Sequence, residues 1–335
     1  MSNAPARLSA RSLSRRPRGF VLVFVLSALA LIALIAGRFA WRVDALRSQA
    51  LTMSTHAQAH LKASNAAAAA LYWISTNSVG PGGFGAAIQP SLRADNRPYV
   101  LDLGGELRVQ DSRGLYPLNA PERETFTRLM ATFGIDAVTS DSFLDVLLDY
   151  QDTDSLKRLN GAEASEYAEQ HLPPPSNDWL VSVRELQRMP LWRERPKLLS
   201  GFDRLGSTHR GAVFNPNSAS RQLLEVLFPQ ARPEQLDLFE TLRAAAPFQT
   251  ADAAERATGI AFAQERMVFY GGELYRITTW AAGLPQALQY NVQLLPGGGQ
   301  APWLINEVRP AAPFASSSKP DRATAFPLAI KPTQP

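Results

Sequence analysis

The sequence predicts an α+β fold: a long N-terminal helix packed on an antiparallel sheet, with a large, mostly helical insertion. Three observations predict it. An uncharged run at Gly19–Gly37 continues into a striped helical pattern, with no proline or glycine from Arg38 to Val79. Strand signals with paired glycines occur at 99–110 and return at 267–308. Helical signals dominate between them, from Pro121 to about Thr258. A helix, a few strands, a helical block and further strands form the order of an interrupted α+β domain.

Composition narrows the chemistry. The chain has 335 residues, more than one minimal core requires, and its 45% apolar and 19% charged content is ordinary for a globular protein. It has no cysteine, which excludes a disulfide scaffold, a thiolate zinc site, an iron–sulfur cluster and a cysteine nucleophile. Four histidines leave little for histidine-based catalysis. The net charge of +4 is concentrated at the start, where Arg7, Arg11, Arg15, Arg16 and Arg18 occur with no acid. Without those five, 29 basic side chains face 30 acidic ones, which removes the electrostatic case for nucleic acid.

Residues 1–19 read as a basic leader and 20–37 as a transmembrane helix. The uncharged run approaches the roughly 20 residues needed to cross a bilayer. The arginines before it hold the N-terminus in the cytoplasm, which puts the bulk of the chain on the far side. Arg38 and Arg42 can snorkel at the far interface, beside the rings of Phe39 and Trp41. A cleaved signal peptide fits poorly, because the run is long and Arg38, Phe39 and Trp41 crowd a cut near Ala40. A plain anchor is the simplest alternative. Phe39, Val43, Leu46, Ala50, Met53 and Ala57 instead mark one helical face continuing over 38–79. Such a helix, from about Phe20 to Ser75, would be ~80 Å long.

Residues 80–120 hold a hairpin, Tyr99–Leu103 and Glu106–Gln110, turned at Gly104-Gly105. The block at 121–258 opens with Pro121 at a first helical position. Ser182 with Glu185 forms a capping box, and Asn217 or Ser218 caps the helix through Leu223, Leu224 and Leu227. Residues 259–308 supply late strands at Met267–Tyr270, Glu273–Trp280, Gln286–Leu295 and Pro302–Val308. The proline-rich 309–335, with Ser316-Ser-Ser318, reads as a disordered tail.

The most informative side chains are acidic. Asp141, Asp145, Asp149 and Asp152 are spaced four, four and three, which places them on one helical face, and Asp154, Glu163 and Glu166 follow closely. Like charges at i,i+4 cost a helix roughly 0.2–0.5 kcal/mol per pair, and a hard divalent cation removes that repulsion. Asp149, Asp152, Asp154 and Glu163 are the candidate calcium ligands, a structural ion and the one cofactor expected. The alternative is a solvated face balanced by Lys157 and Arg158. Other constellations are weaker. His56 and His60 share a face without a third ligand. The Pro81–Gly85 stretch lacks the lysine of a phosphate loop. Glu163 and Glu166 imitate an acid–base pair without a cleft. The run Asn215–Leu224 is similar to helix–hairpin–helix modules, but the near-neutral charge outside the leader counts against nucleic acid.

A basic leader ending in Gly19, with a hydrophobic helix that runs on into a globular part, resembles the type IV prepilins and pseudopilins. The ordered motifs DSRGLYPLNAP at 111–121, LLDYQDTDSLKRLNGAEASEY at 147–167, SVREL at 182–186 and FNPNSASRQLLEVLFP at 214–229 are similar to those of one family. It is that of general secretion pathway protein K, a minor pseudopilin of type II secretion, and the likeness covers most of 15–295. In this chain Tyr150 stands where that family usually has Trp, and Met189-Pro190 replaces its usual turn. The resemblance implies a pilin-like fold, leader cleavage by a prepilin peptidase between Gly19 and Phe20, and methylation at Phe20. The fifth mature position, usually Glu, is Phe24, a departure shared by one subclass.

The implied role is non-enzymatic: capping the pseudopilus tip and helping to initiate its assembly for export across the outer membrane. The implied partners are other minor pseudopilins, the major pseudopilin, the prepilin peptidase and the inner-membrane assembly platform, with no nucleic acid. The implied location is a single pass of the inner membrane, with the N-terminus cytoplasmic and the bulk periplasmic. A minor pilin of another filament is the rival within that class. A membrane-anchored periplasmic binding protein or enzyme is the rival outside it.

Overall fold

The computed structural model describes residues 20–85, 91–102, 104–263, 265–295, 297, 301–312 and 324–327. The leader 1–19, including Gly19, lies outside them. The chain forms two compact units, Met1–Ala57 and Gln58–Pro335. The described part of the first is helix alone: α1 spans Phe20–Thr76, and none of its residues up to Ala57 is buried. Among the described residues this is the one helix long and apolar enough to cross a membrane.

In the second unit the remainder of α1 turns a stripe of small residues inward. Ala63, Ala66 and Ala70 are fully buried, and Leu71 and Ile74 follow. Alanines at this spacing allow a helix to approach a sheet closely. α1 ends where the Asn77 amide takes the Trp73 carbonyl at 3.0 Å, ahead of Gly80 and Pro81. Short strands follow: β1 (Val79–Gly80), β2 (Gly83–Phe84) and β3 (Leu92–Arg93) form one small antiparallel sheet.

The main sheet has six strands. In chain order they are β4 (Tyr99–Val100), β5 (Glu106–Asp111), β8 (Leu274–Trp280), β9 (Ala287–Leu294), β10 (Trp303–Ala311) and β11 (Thr324–Ala325). Their spatial order is β10-β9-β8-β5-β4-β11. All neighbours pair antiparallel except β11, which runs parallel to β4. The expected hairpin is present, with Gly104 and Gly105 at φ +80° and +105°. Side chains facing α1, among them Tyr99, Leu107, Val109, Tyr275, Ile277 and Val292, complete one core.

β5 and β8 are neighbours in the sheet, and the whole helical block leaves from one and returns to the other. It contains α2 (Arg123–Ala131), α3 (Ala137–Gln151), α4 (Ala164–Glu169), α5 (Pro196–Leu205), α6 (Arg221–Leu227), α7 (Pro233–Ala245) and α8 (Ala251–Thr258). β6 (Tyr116–Pro117) and β7 (Gly206–Ser207) pair parallel across it. A second core surrounds Trp192, whose ring meets Phe126, Phe143 and Phe202 at centroid distances of 6.2, 5.2 and 5.1 Å. Its indole N–H donates to the Phe143 carbonyl at 3.1 Å. The fold class expected from the sequence is therefore the one observed.

Several local expectations need correction. The first helix after Pro121 begins at Arg123, because the Glu122 carboxylate accepts from the Glu124 and Thr125 amides and caps it. Ser220, not Asn217 or Ser218, caps α6. The Asn217 amide is already committed to the Phe248 and Phe269 carbonyls, at 2.8 and 3.1 Å, and the Ser218 hydroxyl to Asp111. The Ser182–Glu185 capping box is present, but it opens a 3-10 helix over Val183–Arg188. Met267–Tyr270 is no strand; Met267 makes one bridge to Phe214. The tail expected to be disordered begins inside β10, where Arg309 is buried and ion-paired with Asp203 and Glu307. Farther along, Phe326 sits edge-on to Tyr99 and Trp73, each at 6.2 Å. Of this stretch, residues 313–323 and 328–335 lie outside the described residues.

The helical block is joined to the sheet by a buried cation. Arg276 of β8 donates to the Asp203, Arg204 and Gly206 carbonyls at 3.1, 3.0 and 2.7 Å, at the C-terminal end of α5. With its oxygen turned toward them, the Gln289 amide accepts from Arg309 Nη2 at 2.7 Å and from Arg276 Nε at 3.2 Å. Burial, then the nearby Arg309 charge, brings the Arg276 guanidinium down to about 10. Arg276→Met removes every one of those donors and leaves helix-end carbonyls dry. It is expected to cost about 3 kcal/mol, read as a lower urea midpoint of the solubilised chain. An unchanged midpoint would show that the joint contributes nothing to stability.

Candidate functional site

The acidic residues do converge, but not on a solvated face. Asp141, Asp145 and Asp149 lie on α3, and Asp152 is the residue that ends it. Asp149 is fully buried and Asp145 nearly so. The loop 152–163 folds back over them. Arg158 donates through its backbone to Asp149 Oδ2 at 3.2 Å and through Nη1 to Asp149 Oδ1 at 2.6 Å, and its guanidinium also pairs with Asp152. Asn160 N–H reaches Asp145 Oδ2 at 3.3 Å, while Arg123 bridges Asp141 and Asp145. Repulsion along the face is therefore relieved by Arg123, Arg158 and backbone amides. Gly161 makes the fold-back possible, since a Cβ there would fall 1.8 Å from Asp149 Oδ2.

Glu163 closes the group. It is the residue before α4, and its backbone N–H donates to Glu166 Oε2 at 2.9 Å. Its own carboxylate is buried, and Oε1 has no hydrogen-bond partner; neither has Asp152 Oδ1. Burial, followed by Asp149, Asp152, Asp154 and Glu166, pushes the Glu163 carboxyl up. Glu166 differs. Lys157 at 2.7 Å and the Glu163 amide pull it down to about 2. The two glutamates of the expected acid–base imitation are thus a helix-capping arrangement. Asp154 spends one oxygen on the Leu156 amide at 2.8 Å.

This donor set is made of hard oxygens, carries excess negative charge and holds two dry, unpartnered oxygens. Hard oxygens and negative charge are the donor chemistry that calcium takes. Among the described residues no group of three or more His, Cys, Asp or Glu is arranged to hold a metal ion. The Arg158 guanidinium takes up the space between Asp149 and Asp152. Two contributors were not picked out as parts of the group from spacing: Asn160 and Gly161, both inside the loop motif. The sequence signal that marks them is a glycine two residues before a glutamate in an otherwise acidic segment.

The remaining sequence-singled residues stand apart. Phe20 and Phe24 are exposed on α1, at 73% and 66%. His56 and His60 are exposed on the same helix. Tyr150, in the place of the usual Trp, donates to Glu185 Oε2 at 3.0 Å while Glu185 Oε1 accepts from the Val181 and Ser182 amides. Burial, then Glu185, pushes the Tyr150 phenol up to about 12.

Comparison with known proteins bears on this region directly. No curated protein matches the chain. Among solved structures, the crystal structure of the GspK-GspI-GspJ complex from the enterotoxigenic Escherichia coli type 2 secretion system is similar. The two are 14% identical, the match covers 81% of this chain and 100% of that one, and the TM-score is 0.46. Residues 106–196, which include the acidic loop, match the family model of type II secretion system (T2SS), protein K. Over that segment, which is less than half of the chain, the sequence is similar to type II secretion system protein K.

Proposed function

We propose that this protein caps the tip of the type II secretion pseudopilus and helps initiate its assembly, without enzymatic activity. Its partners are the other minor pseudopilins, the major pseudopilin, the prepilin peptidase and the inner-membrane assembly platform. It crosses the inner membrane once, with a cytoplasmic N-terminus and a periplasmic bulk, following the five leader arginines. Phe24 carries the reading. In an apolar helix bundle an unpaired carboxylate is expensive, and so is an unpaired ammonium. A subunit that enters at the membrane end uses its glutamate at this position to neutralise the amino terminus of the subunit above. A tip subunit has none above, and Phe24 spares it a buried charge without a partner. The helical block inserted between β5 and β8 supports the same reading, since its bulk obstructs addition of further subunits above.

The acidic loop has a structural part in this role. Calcium would be held by Asp149, Asp152, Asp154 and Glu163, and would supply positive charge that cross-links the loop to α3 and α4. Arg158 would give up its place between Asp149 and Asp152, and Gly161 keeps the loop close enough for Glu163 to reach the group.

Three outcomes check these proposals. Mass spectrometry of the protein from membranes is expected to find a methylated chain starting at Phe20; an intact leader, or a start near Ala40, contradicts it. Chelation is expected to lower the melting temperature of the purified protein, by the equivalent of about 2.7 kcal/mol if calcium had stood at a hundredfold its Kd. Asp152→Asn with Asp154→Asn should abolish that response, and an identical melt with and without calcium removes the ion from the account. Finally, Phe24→Glu should weaken tip assembly and secretion while the periplasmic part still binds its partners. Unchanged secretion and complex formation in the membrane would defeat the charge argument.

A further inference from the structure

A cavity of about 400 Å³ opens on the helical block, away from the acidic loop. Its walls are apolar: Tyr116 and Pro117 of β6, Phe214, Leu223 and Leu227 of α6, and Met267. Two ionisable groups, Glu122 and Arg266, also line it. They are not equivalent. The Glu122 carboxylate is already committed, accepting from the Glu124 and Thr125 amides at 2.9 and 2.8 Å and from the Thr125 hydroxyl at 2.6 Å. Arg266 is exposed; among the described residues its guanidinium makes no hydrogen bond or ion pair, although its charge helps to hold the Glu122 carboxyl down. The volume lies within the roughly 300–1,000 Å³ of small-molecule sites, which are mostly apolar with a few polar groups that orient the ligand.

We propose that this cavity binds a small amphiphile with a single apolar chain and a carboxylate head, the chain against Leu223, Leu227 and Met267 and the head on Arg266. The apolar wall rewards burial of the chain in proportion to area removed from water. The Arg266 guanidinium keeps its hydrogen-bond donors unspent and selects an anion, and its planar fork suits a carboxylate. A cavity of this size takes one short chain, which argues against a two-chain membrane lipid.

The test uses the full chain in amphipol with 13C-labelled methionine methyl groups, titrated with octanoate. Met267 lines the cavity, whereas Met130 and Met189 are fully buried in the adjoining core and report on the fold. The Met267 signal is expected to move and saturate while the Met130 and Met189 signals stay in place. Octanol should bind about tenfold more weakly, and Arg266→Gln should erase that difference. Ala212→Trp, at an exposed lining position, should block both ligands without moving the Met130 and Met189 signals. Dihexanoyl phosphatidate should leave Met267 unmoved. A Met267 signal indifferent to octanoate, equal binding of octanol, octanoate binding that survives Ala212→Trp, or a response to the phosphatidate alone would each overturn the proposal.

Discussion

An arginine from one element satisfying the carbonyls at the end of another helix is the interaction on which the rest of this fold depends. The last turn of any α-helix leaves carbonyls without partners, and together they carry a partial negative charge. Among the described residues, three helix ends are met that way. Arg276 of β8 meets the end of α5, Arg93 of β3 donates to the Arg243 and Ala244 carbonyls of α7, and Arg128 of α2 donates to Val226 of α6 at 2.8 Å. Two of the three arginines lie on strands, one in each of two sheets. They tie the inserted block to the sheets at both of its flanks. A buried guanidinium is costly alone, yet with several carbonyls and the Gln289 oxygen around it each donor finds an acceptor.

A second buried network sets where the block leaves and returns. Asp111, at the last position of β5, is 1% exposed and accepts from Asn215 Nδ2 at 2.8 Å, Arg113 N at 3.1 Å and Gly272 N at 3.2 Å. Burial raises its carboxyl, and those donors oppose the rise. Arg113 opens the block, Asn215 lies inside it and Gly272 precedes β8. One carboxylate therefore collects the exit, the middle and the return of a very long insertion. Asn217 does the same for the Pro81, Phe248 and Phe269 carbonyls. The conformational entropy lost in closing so long a loop grows only slowly with its length, so a few well-satisfied polar junctions suffice to hold it.

These junctions explain which parts of the fold were legible in the sequence. Periodicity reports on a side chain's own element, so α1, the hairpin at Gly104-Gly105 and the late strands could be read from it. It does not report on partners far away in the chain. Asn217 looked like a cap because its neighbours look helical, while its amide serves carbonyls more than thirty residues away. Arg309 reads as the start of a proline-rich tail, although pairing with Gln289 of β9 makes it part of β10 and Asp203 holds its guanidinium. The acidic face was visible as spacing, but its burial was not. Arg158, Asn160 and Gly161 fold over it, and loop return is a tertiary event that α3's own pattern does not encode.

The same physical rule governs the buried charges of the fold and the reading proposed for Phe24. A charge withdrawn from water must meet an opposite charge or a set of hydrogen bonds. At Arg276, Arg309 and Asp111 the fold supplies them from within. At Phe24, under the proposed role, there is no charge to bury. At Glu163 and Asp152 neither is the case: both keep a carboxylate oxygen that is buried and without a partner, beside further carboxylates. This corner is short of positive charge. Arg158 alone answers for Asp149 and Asp152 together, and Glu163 has no cation of its own. The deficit lies in the loop that joins α3 to α4, where Leu156 and Leu159 are exposed and a bound cation would rigidify the segment.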